Sequence, residues 1–145
     1  MEAAAAVTAF VGLALTSANG IYKAISGFKN APLTIQQLSV SVVTLTGLLT
    51  QLKDCKDALA LATDLPDIIV RCAEDLRDVE TKLAMVATKP NSVTQRIKIN
   101  VTVVLQEHEW EGRLAMIQRH HAALSTQLAV ITEYEETCES CLQSY

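Results

Sequence analysis

Apolar residues recur at alternating steps of three and four along most of the chain, which is the spacing of one face of an α-helix. The longest register runs from residue 35 to residue 62 without a break. Its members are Ile35, Leu38, Val42, Leu45, Leu49, Leu52, Cys55, Leu59 and Ala62. Helices with such a stripe must bury it against other helices, so the pattern predicts an all-α fold.

Three prolines, Pro32, Pro66 and Pro90, divide this pattern into segments. Proline fits the first turn of a helix and breaks a helix interior, so each proline marks the start of a new helix. A chain of 145 residues has the size of one domain. We therefore predict a single domain over residues 1–145, an up-and-down bundle of four or five long helices. The predicted helices span residues 1–28, 32–62, 65–88, 92–107 and 110–142.

Three details of this prediction remain open. The second helix either runs straight or kinks near Gly47, and the last two segments either stay separate or join across Gly112. Ser92 and Gln95 form a capping-box pattern that begins the fourth segment. Residues 97–104 then alternate β-branched and polar side chains, as a strand does. Because a lone strand would have no pairing partner in a helical chain, we predict a helix there as well.

The charges are unevenly distributed along the chain. The net charge of −4 at pH 7 argues against nucleic acid as a partner, because phosphate binding needs a basic surface. Residues 1–52 contain only three charged residues, Glu2, Lys23 and Lys29, with a net charge of +1, so the remaining residues carry −5. This contrast is the main anomaly of the sequence, and it draws attention to the first helix.

The first helix carries two stripes. Its apolar stripe consists of Val7, Val11, Ala14, Ala18, Ile21, Ile25 and Phe28. Its second stripe consists of small residues, namely Ala5, Ala9, Gly12, Thr16, Gly20, Ala24 and Gly27. Small residues let helices approach closely, either within a core or between copies of a helix in a membrane. We take this small-residue stripe as the candidate self-association or membrane site. We expect release of the helix to cost comparatively little, because Gly and Ala bury little area.

No pattern in the sequence predicts an enzyme. The segment His108–Gly112 begins like the zinc-protease motif His-Glu-x-x-His, but Gly112 stands where the second histidine is required. No Glu-x-x-His pair provides the ligands of a di-iron bundle. The two glycine-rich phosphate-binding patterns, Gly-x-Gly-x-x-Gly and Gly-x-x-x-x-Gly-Lys-Ser/Thr, do not occur in the sequence. We therefore predict a non-enzymatic protein without a cofactor.

The cysteines and histidines also favour structural roles. Cys138 and Cys141 have Cys-x-x-Cys spacing but lack the βαβ unit of a thioredoxin-like redox site, and zinc would need two more ligands. We expect reduced thiols in a cytoplasmic protein. His120 and His121 point about 100° apart on a helix. We expect His121 to lie on the buried apolar face of the last helix and His120 to face water. We expect the glutamates to form solvated helix faces.

Several stretches resemble the HeLo-like family, the fungal N-terminal domains of STAND (NOD-like) receptors. The resemblance spans roughly residues 1–132. It lies in Met1–Val7, in Ile21–Pro32 running into Ile35–Leu38, and in Gly112–Leu114 with His120–Ser125.

This resemblance implies a helical signalling domain of programmed cell death and non-self recognition. Such domains are clustered by a nucleotide-binding oligomerisation module, in cis or in trans, and their first helix then attacks the membrane. We therefore expect a cytoplasmic domain that self-associates and engages lipid on activation. The alternatives are a soluble protein-binding adaptor and an accessory helical protein of a fungal biosynthetic pathway, because related domains are also encoded beside secondary-metabolite pathways.

Overall fold

A computed structural model of the protein describes residues 2–28, 31–54, 64–86 and 107–143. Within these ranges the side chains of residues 2–6, 86, 134–135 and 137–142 are not described. The described residues form four α-helices and no strand, which confirms the predicted all-α fold. The helices are α1 (Glu2–Ser26), α2 (Leu33–Asp54), α3 (Leu65–Val86) and α4 (Glu107–Gln143).

The helix boundaries answer the open point at Gly47 and show that Gly112 does not interrupt a helix, whereas the joining of residues 92–106 to that helix lies outside the described residues. Helix α2 continues through Gly47 without interruption, and α4 continues through Gly112 and already includes Glu107, where the sequence pattern starts this helix at residue 110. Helix α1 ends at Ser26, because the amides of Gly27 and Phe28 bond back to carbonyls three residues earlier at 3.2 and 3.0 Å. The predicted helix over 92–107, the capping box and the alternating residues 97–104 lie outside the described residues, apart from Glu107.

The core consists of one stripe from each helix, at the positions that the helical period selects. Helix α3 begins beside Pro66, and the amide of Ile68 bonds to the carbonyl of Asp64 at 3.3 Å. The buried apolar residues of α1 and α2 are Val7, Val11, Ala14, Ala18, Ile21, Ile25, Ile35, Leu38, Val42, Leu45, Leu49 and Leu52. Those of α3 and α4 are Leu65, Ile69, Cys72, Ala73, Leu76, Val79, Leu83, Trp110, Leu114, Ile117, Leu124 and Ile131. Aliphatic side chains therefore hold the bundle together, with one aromatic residue, Trp110, among its fully buried members.

The four helices are arranged as a ring. Helix α1 packs against α2 and α3, and α4 packs against the same two helices, whereas the pairs α1–α4 and α2–α3 barely touch. Consequently α1 and α2 form one side of the bundle, and α3 and α4 form the opposite side.

Candidate functional site

The charged residues are distributed unevenly over the folded bundle, as they are along the sequence. Because α1 and α2 lie side by side, the nearly uncharged first third of the chain covers one side of the bundle. Within α2, no residue from Leu33 to Leu52 is charged. We call the exposed faces of α1 and α2 the neutral side. The opposite side carries the alternating acidic and basic residues of α3 and α4.

The neutral side also holds most of the exposed apolar surface. Among the described residues, seven large hydrophobic side chains are exposed, and five of them lie on α1 and α2. These five are Leu13 (57% exposed), Tyr22 (49%), Leu33 (69%), Val40 (66%) and Val43 (52%). The other two are Met85 and Val130. Exposed apolar side chains that are concentrated on one side with few charges are typical of a protein–protein or membrane contact.

A shallow groove runs between α2 and α4 beside this surface. Its larger part, of about 460 Å³, is lined by Leu33, Gln36, Gln37, Val40, Ser41 and Gln118. A smaller part of about 220 Å³ shares Val40, Ser41 and Gln118 and adds Thr44 and His121. Of these lining residues only His121 can carry a charge. A lining of amides, hydroxyls and aliphatic groups fits a neutral polypeptide surface better than an ionic substrate.

The small-residue stripe of α1 does not form one continuous packing surface. Ala9 and Thr16 are exposed, and the Thr16 hydroxyl donates to the carbonyl of Gly12 at 2.9 Å. A Cβ added at Gly12 would meet no atom within 4 Å. The side chain of Ala5 lies outside the described residues. Ala9 and Thr16 therefore face solvent, and the space around the half-buried Gly12 is sterically open.

The second half of the stripe behaves differently. A Cβ at Gly20 would overlap the carboxylate of Glu80 on α3, which is the end of a flexible side chain, so a larger residue at position 20 requires Glu80 to move. Ala24 is half-buried and packs against the core. Gly27 is exposed, one residue beyond the end of α1. Substitutions at Gly12 and Gly20 therefore have different structural consequences, because only the one at Gly20 displaces a neighbouring side chain.

The structure corrects the expectation that α1 is released cheaply. The stripe opposite the small residues is almost fully inaccessible, with Val11, Ala14, Ala18 and Ile21 at 0% exposure and Val7 at 2%. Burial of a Val or Ile side chain contributes about 1.5–3 kcal/mol. The four Val and Ile residues of this stripe together contribute about 6–12 kcal/mol of favourable apolar burial, which would be lost if the helix left the bundle. Helix α1 is therefore a structural part of the core.

One helix is long and apolar enough to cross a membrane by length and composition. Among the described residues this is α2, Leu33–Asp54, with a mean hydropathy of 1.4. Core helices of soluble proteins pass the same test. One face of α2 is buried in the bundle, from Ile35 to Leu52, so in this structure the apolar character of α2 is used for packing.

The contact between α3 and α4 is polar at its edge. His120 Nε2 and Asp75 Oδ2 lie 2.5 Å apart, and the His120 side chain is 14% exposed. His121 instead lines the groove towards α2. The prediction that His121 lies in the core and His120 faces water is therefore wrong. The sequence pattern treats a helix as having one buried face, whereas α4 contacts α3 on one flank and α2 on the other.

A second polar contact lies near the start of α4. The Arg113 guanidinium stacks 4.9 Å from the ring centroid of Trp110. It also lies 3.7 Å from the carboxylate of Glu109 and 3.9 Å from that of Asp78 on α3. Trp110 is 1% exposed, and its indole Nε1 has no hydrogen-bond partner among the residues that the structure describes. Neither Trp110 nor His108 lines the groove between α2 and α4.

Cys72 is a free, buried thiol on α3. Burial raises its pKa from 9.0 to about 12, and the nearby Asp75 carboxylate adds to the shift. A thiol with a pKa this high remains protonated at physiological pH and is a poor nucleophile. The proximity of Cys72, Asp75 and His120 therefore does not activate the sulfur.

The Cys72 thiol is expected to resist alkylation by iodoacetamide in the folded chain and to react only after unfolding. Because the raised pKa belongs to the folded state, the folded chain keeps a proton that the unfolded chain loses above pH 9. This contribution to stability is complete below pH 9 and is lost as the pH rises towards 12. Peptide mass spectrometry measures the labelling, and denaturant unfolding measures the pH dependence, which should be weaker in Cys72→Ala. Rapid labelling of the folded chain would contradict this assignment.

The other candidate residues do not come together in a reactive site. Within the described part of the chain, no group of three His, Cys, Asp or Glu side chains could hold a metal ion. Glu107, Glu109 and Glu111 are exposed, as expected of a solvated face. Cys138 and Cys141 lie within α4, but their side chains are outside the description, as is the whole of Cys55.

Sequence reasoning missed the outer face of α2. It used the uncharged first third of the chain to single out α1 and treated α2 as a core helix. The signal that could have found this face is the charge-free run from Leu33 to Leu52. A helix with one solvent face normally places charged residues there.

A family model described as "Pigment biosynthesis cluster protein PigL N-terminal" matches residues 1–132 of the chain. No curated protein and no solved structure matches the chain. This family description names a biosynthesis cluster and not HeLo-like or STAND domains, so it supports the expected alternative of a protein from a biosynthetic pathway. Because the match covers most of the chain, the protein belongs to the family of pigment biosynthesis cluster PigL N-terminal domains.

Proposed function

We propose that this chain is a non-catalytic protein-interaction domain of a biosynthesis-cluster protein, and that it binds its partner through the neutral side. The observation that carries the proposal is the concentration of exposed apolar residues there, five of the seven among the described residues. Exposed apolar surface on a folded domain costs solubility, so its clustering on one uncharged side points to a contact that covers it. The family match supports the biosynthetic setting.

The chemistry of the described residues supports a binding function over a catalytic one. The buried thiol of Cys72 is held in its protonated form. The imidazole of His120 is engaged by Asp75. The groove between α2 and α4 offers mainly amides, hydroxyls and aliphatic groups, which position a partner without providing acid–base or nucleophilic chemistry.

Photo-crosslinking in cells tests this proposal. The photoreactive residue p-benzoylphenylalanine is placed singly at Leu13 and Val43 on the neutral side, and at Met85 and Val130 as matched controls on the opposite side. All four positions are at least half exposed, so none should disturb the core. We expect protein adducts, whether with another protein or a second copy, from the first two positions only. Equal labelling from all four positions, or none from Leu13 and Val43, would refute the proposal.

A second candidate function is signalling by self-association through α1, with lipid and a nucleotide-binding oligomerisation module as further partners. It is favoured by the part of the small-residue stripe where Ala9 and Thr16 face solvent and a side chain at Gly12 would meet open space. The buried stripe of α1 argues against a step in which this helix leaves the bundle for a membrane. This candidate predicts that a photoreactive residue at Leu13 yields adducts of twice the chain mass, whereas one at Val43 does not.

A further inference from the structure

Helix α2 carries two parallel heptad seams. The inner seam is buried in the core and consists of Ile35, Leu38, Val42, Leu45, Leu49 and Leu52. The outer seam has the same alternation of three and four and consists of Leu33, Gln36, Val40, Val43, Gly47 and Thr50. Every residue of the outer seam is exposed. A seam with this spacing is the surface that one helix of a coiled coil offers to another.

The outer seam is complementary to itself when two copies of α2 run antiparallel. In a two-fold arrangement centred between Val40 and Val43, each of these valines faces the other in the second copy. Leu33 then lies opposite Thr50, and Gln36 lies opposite Gly47. A large side chain thus meets a small one at both ends. A Cβ at Gly47 would meet no atom within 4 Å, so there is room above Gly47 for the partner's glutamine.

Three side-chain donors on or beside this seam are already paired within one chain. The hydroxyl of Thr50 donates to the carbonyl of Thr46 at 2.8 Å, and that of Thr44 donates to the carbonyl of Val40 at 2.9 Å. The side-chain amide of Gln36 donates to the carbonyl of Ala31 at 2.7 Å. A partner that covers the seam therefore leaves these donors paired, which avoids the usual penalty of burying a polar group.

Charge also favours a second copy over other occupants. The absence of charge from Leu33 to Leu52 means that a face pairing with itself creates no like-charge contact, whereas most of the remaining surface of this chain is acidic overall. A lipid bilayer is a poorer occupant. Because the inner seam of α2 forms the core, insertion of this helix would dismantle the bundle.

Resting on the proposed function, we propose that the partner of the neutral side is a second copy of this chain, docked antiparallel along the outer seam of α2. The groove beside the seam, with Gln118 and His121 on α4, is covered by the same contact. A single pair of helix faces is small compared with the roughly 800 Å² per partner of a stable complex, so a weak, reversible dimer is expected.

Sedimentation equilibrium of the purified full chain tests the dimer. We expect the average mass to rise with concentration from 15.7 kDa towards twice that value. Val40→Glu places two carboxylates against the facing apolar residues and should weaken the dimer on the order of 100-fold. Val130→Glu, at a similarly exposed position on α4 outside the neutral side, serves as the matched control and should leave it intact, whereas Leu13→Glu measures whether α1 contributes to the same contact. Circular dichroism confirms that all three variants remain folded.

Disulfide trapping tests the orientation. Chains carrying Gln36→Cys and chains carrying Gly47→Cys should cross-link when mixed, and neither should cross-link through the introduced cysteine alone, because only the antiparallel register brings position 36 against position 47. Peptide mass spectrometry distinguishes this bond from those of the natural cysteines. Cross-linking of each variant with itself would overturn the antiparallel arrangement.

The remaining outcomes separate this inference from the proposed function. A chain that stays monomeric at all concentrations, but forms adducts with another protein from Val43 in cells, overturns the dimer and retains the proposed function. Dissociation by Leu13→Glu and not by Val40→Glu overturns the α2 interface in favour of α1. Val40-dependent binding to liposomes by a monomeric chain would identify a lipid surface as the occupant. A monomeric chain without adducts from the neutral side defeats both proposals.

Discussion

A chain lacking residues 1–20 is expected to lose cooperative unfolding. The deletion removes the fully buried Val11, Ala14 and Ala18 and the 2%-exposed Val7, together with part of the cover over the inner seam of α2. The two valines alone contribute about 3–6 kcal/mol. The newly exposed faces of α2 and α3 add to this cost, so the total approaches the stability of about 5–15 kcal/mol of a whole domain. Circular dichroism during thermal unfolding measures the loss.

The matched control for this deletion is Gly12→Ala, which changes the solvent-facing side of the same helix. The added methyl group meets no atom within 4 Å, and alanine favours a helix by about 1 kcal/mol over glycine. This variant should therefore unfold at or slightly above the temperature of the unaltered chain. A truncated chain that retained a cooperative transition would show that α1 is dispensable. The hypothesis of a releasable, membrane-active first helix would then regain its physical basis.

Trp110→Ala is expected to destabilise the chain by about 3–5 kcal/mol, the usual cost of removing a large buried aromatic ring. Trp110 is 1% exposed at the start of α4, and its ring supports the Arg113 guanidinium. Both the cavity and the loss of that support contribute. Chemical unfolding followed by circular dichroism measures the change, since the variant has no tryptophan left to report by fluorescence.

Trp110→Phe separates packing from hydrogen bonding at the same position. Phenylalanine fills much of the space and keeps an aromatic face for Arg113. It also removes the indole N–H, which has no partner within the described part of the chain and which costs about 1–3 kcal/mol when buried unpaired. We expect this variant to lie within about 1.5 kcal/mol of the unaltered chain. Equal destabilisation by Ala and Phe would mean that the indole N–H contributes a stabilising contact.

These two predictions bear on function because they distinguish the helix faces that stabilise the fold from the faces that can bind a partner. Both locate stability in the inner faces, including the apolar stripe of α1. Binding is then left to surfaces whose removal does not unfold the bundle. Val40 and Val43 on α2 meet that condition, because both are more than half exposed. Substitutions there can therefore change association while leaving the monomer intact, which makes the neutral side experimentally accessible.

The fold class was predictable because the spacing of apolar residues along each segment identifies the helix face that packs against its neighbours. Positions such as Leu38, Leu45 and Leu76 repeat with the helical period, and burying them against neighbouring helices is the one way to remove them from water. The alternatives at Gly47 and Gly112 were not decidable in the same way. A glycine weakens a helix by only about 1 kcal/mol, which tertiary packing readily overrides.

The candidate site was only partly predictable. The low charge of the first third was visible in the sequence, and it correctly marked an unusual region. Which of its helices offers exposed apolar residues depends on how each helix is rotated in the bundle. The pattern singled out the small residues of α1, yet Leu33, Val40 and Val43 on α2 expose larger apolar side chains than Ala9 or Gly12.

By itself, the sequence determined that the chain is all-α, which apolar stripes of α1 and α2 face inward, and that its charge is concentrated beyond residue 52. Only the tertiary structure decided that α1 lies beside α2 and α3 while α4 closes the ring from the other side. That arrangement places His120 against Asp75, turns His121 towards the groove and gathers the uncharged residues on one side. The physical reason is that helical periodicity specifies which face of a helix is buried, whereas the choice of neighbours depends on contacts between residues far apart in the chain.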